Sequence, residues 1–225
     1  AQALAVTHLR AHERVHLGGR EHPLAAGADL TLPVLGPGTG LGVSALMRRA
    51  GHTFAVASEG GHASFAPKTE RQRAVLALLA ARYQRVSYER LISGGGLSNL
   101  HFALSQRAGI TDPESLTPEQ VTARADAGDP LALETIEVFC EVFGAFAGDL
   151  VLTFGGWDGV YLSGGLVPLL LDDLQRSAFR EAFESKGRFS DAMREVPVHA
   201  VVHPQPGLLG AAALAIETAA AVALA

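Results

Sequence analysis

Gly159-Val160-Tyr161-Leu162-Ser163 runs without a spacer into Gly164-Gly165-Leu166-Val167-Pro168. The first five residues carry no charge and read as a buried strand, and the glycine pair opens a helix. A strand that feeds a helix through glycines is the unit from which α/β sheets are assembled. Upstream lie three β-rich segments, Leu30 to Gly36, Leu41 to Arg48 and His52 to Ser58, with glycine-rich gaps that suit tight turns. Glu70 to Tyr83, Gly95 to Ala108 and Thr117 to Ala127 then repeat apolar residues at helical spacing. Thr117-Pro118-Glu119-Gln120 is a helix start, with Thr as N-cap, Pro at the first position and Gln at the third. Strands, then helices, then the strand–glycine–helix unit predict one α/β domain with a mixed sheet and a helical insertion.

The rest of the chain fits this frame. Leu131 to Phe154 is apolar enough to imitate a membrane span, but Glu134, Glu137, Glu141 and Asp149 interrupt it. It reads as a long core helix whose Gly144 and Gly148 mark close helix packing. Asp172 to Glu195 is a polar helical stretch, Val198 to Val202 another strand, and the alanine-rich segment from Gly207 a closing helix. Gln2 to His12 is expected to be helical and begins without a capping signal.

Composition narrows the class. Of 225 residues, 48% are hydrophobic and 18% charged, the profile of a globular protein able to bury a core. A net charge of −5 argues against a nucleic-acid partner, which needs a basic face. Cys140 is the only cysteine, so neither an internal disulfide nor a cysteine-based metal site can form. No basic patch followed by an apolar run marks a signal peptide, and the cytoplasm is the expected compartment.

Four motifs carry candidate chemistry, and one imitates it. His12-Glu13-Arg14-Val15-His16 spells the zinc-protease pattern, but Leu17-Gly18-Gly19 breaks the helix that would hold both imidazoles on one face. No metal ligands are assigned there. Gly36-Pro37-Gly38-Thr39-Gly40-Leu41-Gly42 sits between two strands, where small residues let backbone amides and the Thr39 hydroxyl approach phosphate oxygens. The alternative is an ordinary β-turn, which rarely needs so many glycines. In Glu59-Gly60-Gly61-His62 a carboxylate and an imidazole can converge on one polyol, unless the loop is simply solvated. Ser93-Gly94-Gly95-Gly96 and Ser163-Gly164-Gly165 open helices, whose N-termini attract anions. By residue type alone, Glu89 reads as a surface carboxylate.

Taken in order, GPGTGLG from Gly36, SEGGHASFAP from Ser58, the Glu89-to-Leu100 stretch ER-LISGGGLSNL, YLSGGLVP from Tyr161 and HPQPGLLGAAAL from His203 resemble the bacterial glucokinases of the hexokinase/actin-like superfamily. The resemblance covers nearly the whole chain. It implies a ribonuclease-H-like large domain, residues 1–225, packed against a smaller N-terminal one. It implies ATP-dependent phosphorylation of glucose at the 6-hydroxyl, with Mg²⁺ as companion of the nucleotide and a homodimer as the assembly. Gly38, Thr39 and Gly40 would then face ATP phosphates, Gly164 and Gly165 the adenosine, and Glu59, His62 and Glu89 the hydroxyls of glucose. The family's first phosphate loop and its general-base Asp have no counterpart in the chain; the base is expected just before Ala1. Two rivals remain. Sugar kinases and repressors of the ROK group also carry an acidic–His sugar motif, but usually with a cysteine-rich zinc site after it. A sugar-binding module without catalysis would keep the same sugar residues.

Overall fold

The computed structural model describes residues 2–21, 23 and 27–223. A short helix α1 (Gln2–Ala5) precedes strand β1 (Arg14–Gly18), followed by the meander β2 (Leu30–Pro37), β3 (Leu41–Arg49) and β4 (His52–Ser58). Four helices follow, α2 (Glu70–Tyr83), α3 (Gly94–Arg107), α4 (Pro118–Asp126) and the long α5 (Pro130–Phe154). Strand β5 (Val160–Leu162) leads into α6 (Leu166–Leu169), α7 (Leu171–Arg176), α8 (Phe179–Glu184) and α9 (Ser190–Glu195), then β6 (Val198–Val201) and α10 (Pro206–Ala223).

The sheet is mixed, as its sequence predicts, in the order β1-β6-β5-β2-β3-β4. β2, β3 and β4 pair antiparallel, β5 lies parallel to both β2 and β6, and β1 closes the far edge antiparallel to β6. Alternation along β2 separates two cores. Leu30, Leu32 and Val34 join Ala3 and Leu4 of α1 on one face, while Leu35 points into the larger core under α3, α5 and α8.

Helix α5 is the spine of that larger core. Asp129 caps it by accepting from the amides of Leu131 and Ala132, both at 2.9 Å, and Pro130 takes the first position, where no donor is needed. Its Phe139, Phe143 and Phe146 are buried with Phe179 and Phe183 of α8. Each such ring removes apolar surface worth about 1.5–3 kcal/mol. Gly144 and Gly148 do mark close packing: a Cβ on either would overlap the carbonyl oxygen of Phe179 or Phe183. Among the described residues no helix is long and apolar enough to cross a membrane.

One expectation fails, near the start. The helix expected over Gln2 to His12 stops at Ala5, and a single 3₁₀ turn, Ala11–Glu13, leads into β1. His12 therefore sits in that turn and His16 in a strand, so the zinc-protease spelling has no helix to stand on. The signal that the sequence reading passed over is the alternation of Val15 and Leu17, which pack against the core, with Arg14 and His16. Asp172 to Glu195 is helical as expected, divided into α7, α8, a 3₁₀ turn and α9, so that the chain bends to lay α8 across α5.

Candidate functional site

The motifs meet at one end of the sheet, where β2, β3 and β5 finish or begin. The β2–β3 hairpin pairs Gly36 with Gly42 and Pro37 with Leu41, and the Gly38 amide donates to the Gly40 carbonyl at 2.8 Å. That closure leaves Thr39 exposed at the tip. The start of α3 holds the hairpin from the side, since the Gly94 amide donates to the Gly38 carbonyl at 2.8 Å. Ser93 caps the same helix by accepting from the Gly96 amide at 3.0 Å, and its hydroxyl donates to the Glu89 carbonyl at 2.7 Å. The first glycine cluster thus braces the hairpin and the Glu89 turn.

Beyond β4 the chain turns through Glu59 into a 3₁₀ turn, Gly60–His62. Gly61 allows this turn to lie directly on the β3 backbone, because a Cβ there would overlap the Leu41 carbonyl oxygen. A second 3₁₀ turn, Tyr88–Arg90, carries Glu89 to the same place. The Tyr88 amide donates to the Ala63 carbonyl and the Phe65 amide to the Val86 carbonyl, each at 3.0 Å, which fastens the two turns together.

Three polar side chains converge there. His62 Nε2 lies 3.9 Å from Glu59 Oε2, and His62 Nδ1 lies 3.8 Å from Glu89 Oε1. The other Glu89 oxygen accepts from the Leu41 amide at 3.0 Å. Glu59 is 92% exposed, His62 54% and Glu89 31%, so the group is a polar surface with Glu89 as its anchored inner member. Two carboxylates flanking an imidazole offer both acceptors and a donor to a hydroxyl-rich ligand.

The strand exit of β5 stands directly behind the hairpin. The Ser163 amide donates to the Leu35 carbonyl at 2.6 Å. Gly164 adopts a φ of +128°, and a Cβ there would come within 2.5 Å of the Pro37 carbonyl oxygen. Its lack of a side chain is required by the packing of β5 against the hairpin. Gly165 differs: among the described residues beyond its chain neighbours, nothing lies within 4 Å of where its Cβ would be, so its backbone faces open space. All eight residues singled out in the sequence, Gly38, Thr39, Gly40, Glu59, His62, Glu89, Gly164 and Gly165, therefore belong to loops at one end of the sheet.

Sequence reasoning missed two neighbours. Gln2 of α1 packs on the hairpin, its Oε1 lying 2.6 Å from where a Gly36 Cβ would be. No local pattern announces that contact. Tyr88 is the other. Burial, reinforced by the Asp149 carboxylate, pushes its hydroxyl up to about 12, so it stays protonated and donates. Elsewhere, a cleft of about 360 Å³ is lined by Arg14, Glu21, Asp158, Tyr161 and His199, among others. Several of its polar groups are already paired: Arg14 donates to the Tyr161 hydroxyl at 2.9 Å, His199 Nε2 pairs with Glu21 at 3.0 Å, and Asp158 accepts from the Thr31 amide at 2.8 Å, while His199 Nδ1 has no partner among the described residues. None of the eight residues singled out above lines it.

This geometry can be set beside known proteins. The family model described as Glucokinase matches residues 1–218. The chain belongs to the glucokinase family. A glucokinase of Xanthomonas campestris pv. campestris is 54% identical over 218 residues, and one of Stenotrophomonas maltophilia 53%; each match covers 96% of this chain. The chain spans 65% of the length of these relatives. A crystal structure of glucokinase from an Antarctic psychrotroph superposes with a TM-score of 0.86 at 33% identity, covering 95% of this chain and 65% of that one. The fold is thus that of the glucokinases, and the ROK assignment gives way to the glucokinase one.

Proposed function

We propose that this chain is the large domain of an ATP-dependent glucokinase that transfers a phosphoryl group to the 6-hydroxyl of glucose. The carrying observation is the bond between Glu89 and the Leu41 amide, which ties the sugar-facing carboxylates to the phosphate hairpin within one rigid cluster. In a group transfer that is mainly positioning and electrostatics, donor and acceptor sites must be held at fixed distance, and this link does so. Family membership supports the same reading.

The roles follow from the chemistry of each group. Glu59, His62 and Glu89 hold and orient sugar hydroxyls. The Thr39 hydroxyl and the backbone around Gly38 and Gly40 hold nucleotide phosphates, and the bare backbone at Gly165 accepts the flat adenosine, with Gly164 shaping the wall behind it. The donor set suits a nucleotide: small residues, one hydroxyl and open backbone. Mg²⁺ would neutralise the phosphates when bound. Among the described residues no three His, Cys, Asp or Glu side chains form a metal-ligand group, so the ion is proposed to enter with the phosphates rather than in a protein cage. With all three polar side chains committed to hydroxyls, the proton acceptor for the 6-hydroxyl is proposed to come from the relatives' length not covered here, in a smaller N-terminal domain. A cytoplasmic homodimer completes the proposal.

A coupled assay of ADP formation by the full-length protein tests it. Glucose should support turnover within the usual kinase range of about 1–100 s⁻¹, and 6-deoxyglucose should support none while competing with glucose. Glucose binding without ADP formation would instead establish a sugar-binding module.

A further inference from the structure

Lys186 follows α8 and is one of only two lysines in the chain. Its side chain is 4% exposed, although a buried ammonium is expensive to desolvate. Its stem crosses α5 at Gly148, where a Cβ would lie 2.5 Å from the Lys186 Cε. The ammonium donates to the Ala145 carbonyl at 2.6 Å and to Asp149 Oδ1. The second Asp149 oxygen faces the Tyr88 hydroxyl at 3.5 Å. The Tyr88 ring stacks on Phe146 with centroids 4.0 Å apart and meets Phe65 edge-on at 5.7 Å. Through its amide, Tyr88 holds the Ala63 carbonyl, next to His62; through the chain, it carries Glu89.

An aliphatic side chain would fill the Lys186 channel at lower cost. What the lysine adds is a fixed charge that pins one oxygen of Asp149 and turns the other toward Tyr88. We propose that Lys186 is a positioning residue for the sugar side of the site, acting through Asp149 and Tyr88 on His62 and Glu89. This rests on the sugar-binding role of those two residues. The charged and titratable groups facing the ammonium are Asp149 of α5, Lys68 ahead of α2 and, beyond Asp149, Tyr88. Burial, eased by Asp149 and worsened by Lys68, brings the Lys186 ammonium down to about 8.

The test uses Lys186→Met, Tyr88→Phe and their double variant in the full-length protein, with steady-state kinetics against pH. Each single change should raise the KM for glucose about three- to tenfold, the worth of one ordinary hydrogen bond. The double variant should be no worse than the poorer single one, because both cut the same chain. The KM for ATP should rise less than that for glucose, since Glu89 reaches the hairpin only through the Leu41 amide. In the parent, the KM for glucose should climb as pH rises through about 8 and the ammonium discharges, and Lys186→Met should abolish that climb. Tyr88→Phe keeps the stacked ring, so it carries the test if Lys186→Met does not fold. A parent-like glucose KM in Tyr88→Phe, equal rises for both substrates, or additive effects would overturn the inference. A parent protein that neither binds nor phosphorylates glucose would bring down the underlying sugar reading instead.

Discussion

Glu89 Oε2 accepts the Leu41 amide at 3.0 Å, so one carboxylate serves both the proposed sugar pocket and the hairpin proposed to hold phosphates. Removing it should disturb both substrates. Glu89→Ala is expected to lower kcat/KM for glucose about a hundredfold and to raise the KM for ATP as well, since the hairpin loses its brace. Glu89→Gln keeps an oxygen for the Leu41 amide, so its effect should fall on glucose alone. Parallel KM measurements for both substrates distinguish the two patterns, and identical profiles for Ala and Gln would refute the bracing role.

Glu59 and His62 lack such a structural duty, being 92% and 54% exposed at their side chains. Glu59→Gln and His62→Ala should each cost about ten- to a hundredfold in kcat/KM for glucose, the value of a hydrogen bond to a charged group. The thermal midpoint should not move, because exposed positions away from caps and cores contribute little to stability. Kinetics indistinguishable from the parent in both variants would remove them from the site.

Much of this was legible in the sequence because the decisive elements are local. The strand boundaries around Gly36–Gly42 follow from glycine and alternation. The start of α4 follows from Thr117 and Gln120, which bond each other's backbone amides at 3.3 and 2.8 Å. What stayed hidden depends on contacts distant in sequence. Glu89 reads as a surface carboxylate by residue type, and only the resemblance singled it out; its contact with Leu41, 48 positions away, has no local signal. Lys186 lies in a stretch that reads as polar and helical, and nothing in that pattern shows its burial against Gly148. β1 was missed for a different reason: its alternation is only five residues long and overlaps a spelling that suggested a helix.

The stability of the domain should fall in mild acid, and His101 is one cause. It lies buried on α3, its Nδ1 has no hydrogen-bond partner among the described residues, and burial, with Arg124 nearby, lowers its affinity for a proton. The folded pKa is thus below the ordinary 6.5 of the unfolded chain, so below that value the unfolded state binds the proton that the folded state refuses. Stability therefore drops as pH falls through about 6.5 toward the folded pKa and is regained above it. His199, also lowered chiefly by burial, acts in the same direction. Thermal unfolding at about pH 5 and at neutral pH, compared between the parent and His101→Leu, measures the share due to His101. An unchanged acid loss in the variant would assign it to other groups.

Gly164 and Gly165 adjoin in the chain, yet they should fail differently when substituted. Gly164 has a φ of +128°, which side chains rarely tolerate, and a Cβ there meets the Pro37 carbonyl oxygen at 2.5 Å. Gly164→Val should therefore destabilise the domain by about 3 kcal/mol or more, through backbone strain and displacement of the hairpin. It should damage glucose and ATP use together. The Cβ position of Gly165 is open to 4 Å, so Gly165→Val should fold with a parent-like thermal midpoint. Its side chain would instead occupy space proposed for the adenosine, raising the KM for ATP at least about tenfold, a loss of roughly 1.4 kcal/mol in binding, while the KM for glucose stays near the parent's. Thermal unfolding and paired KM values on both variants give the answer. A Gly165→Val enzyme with normal ATP kinetics would move the nucleotide away from this strand exit, whatever Gly164→Val does to the fold.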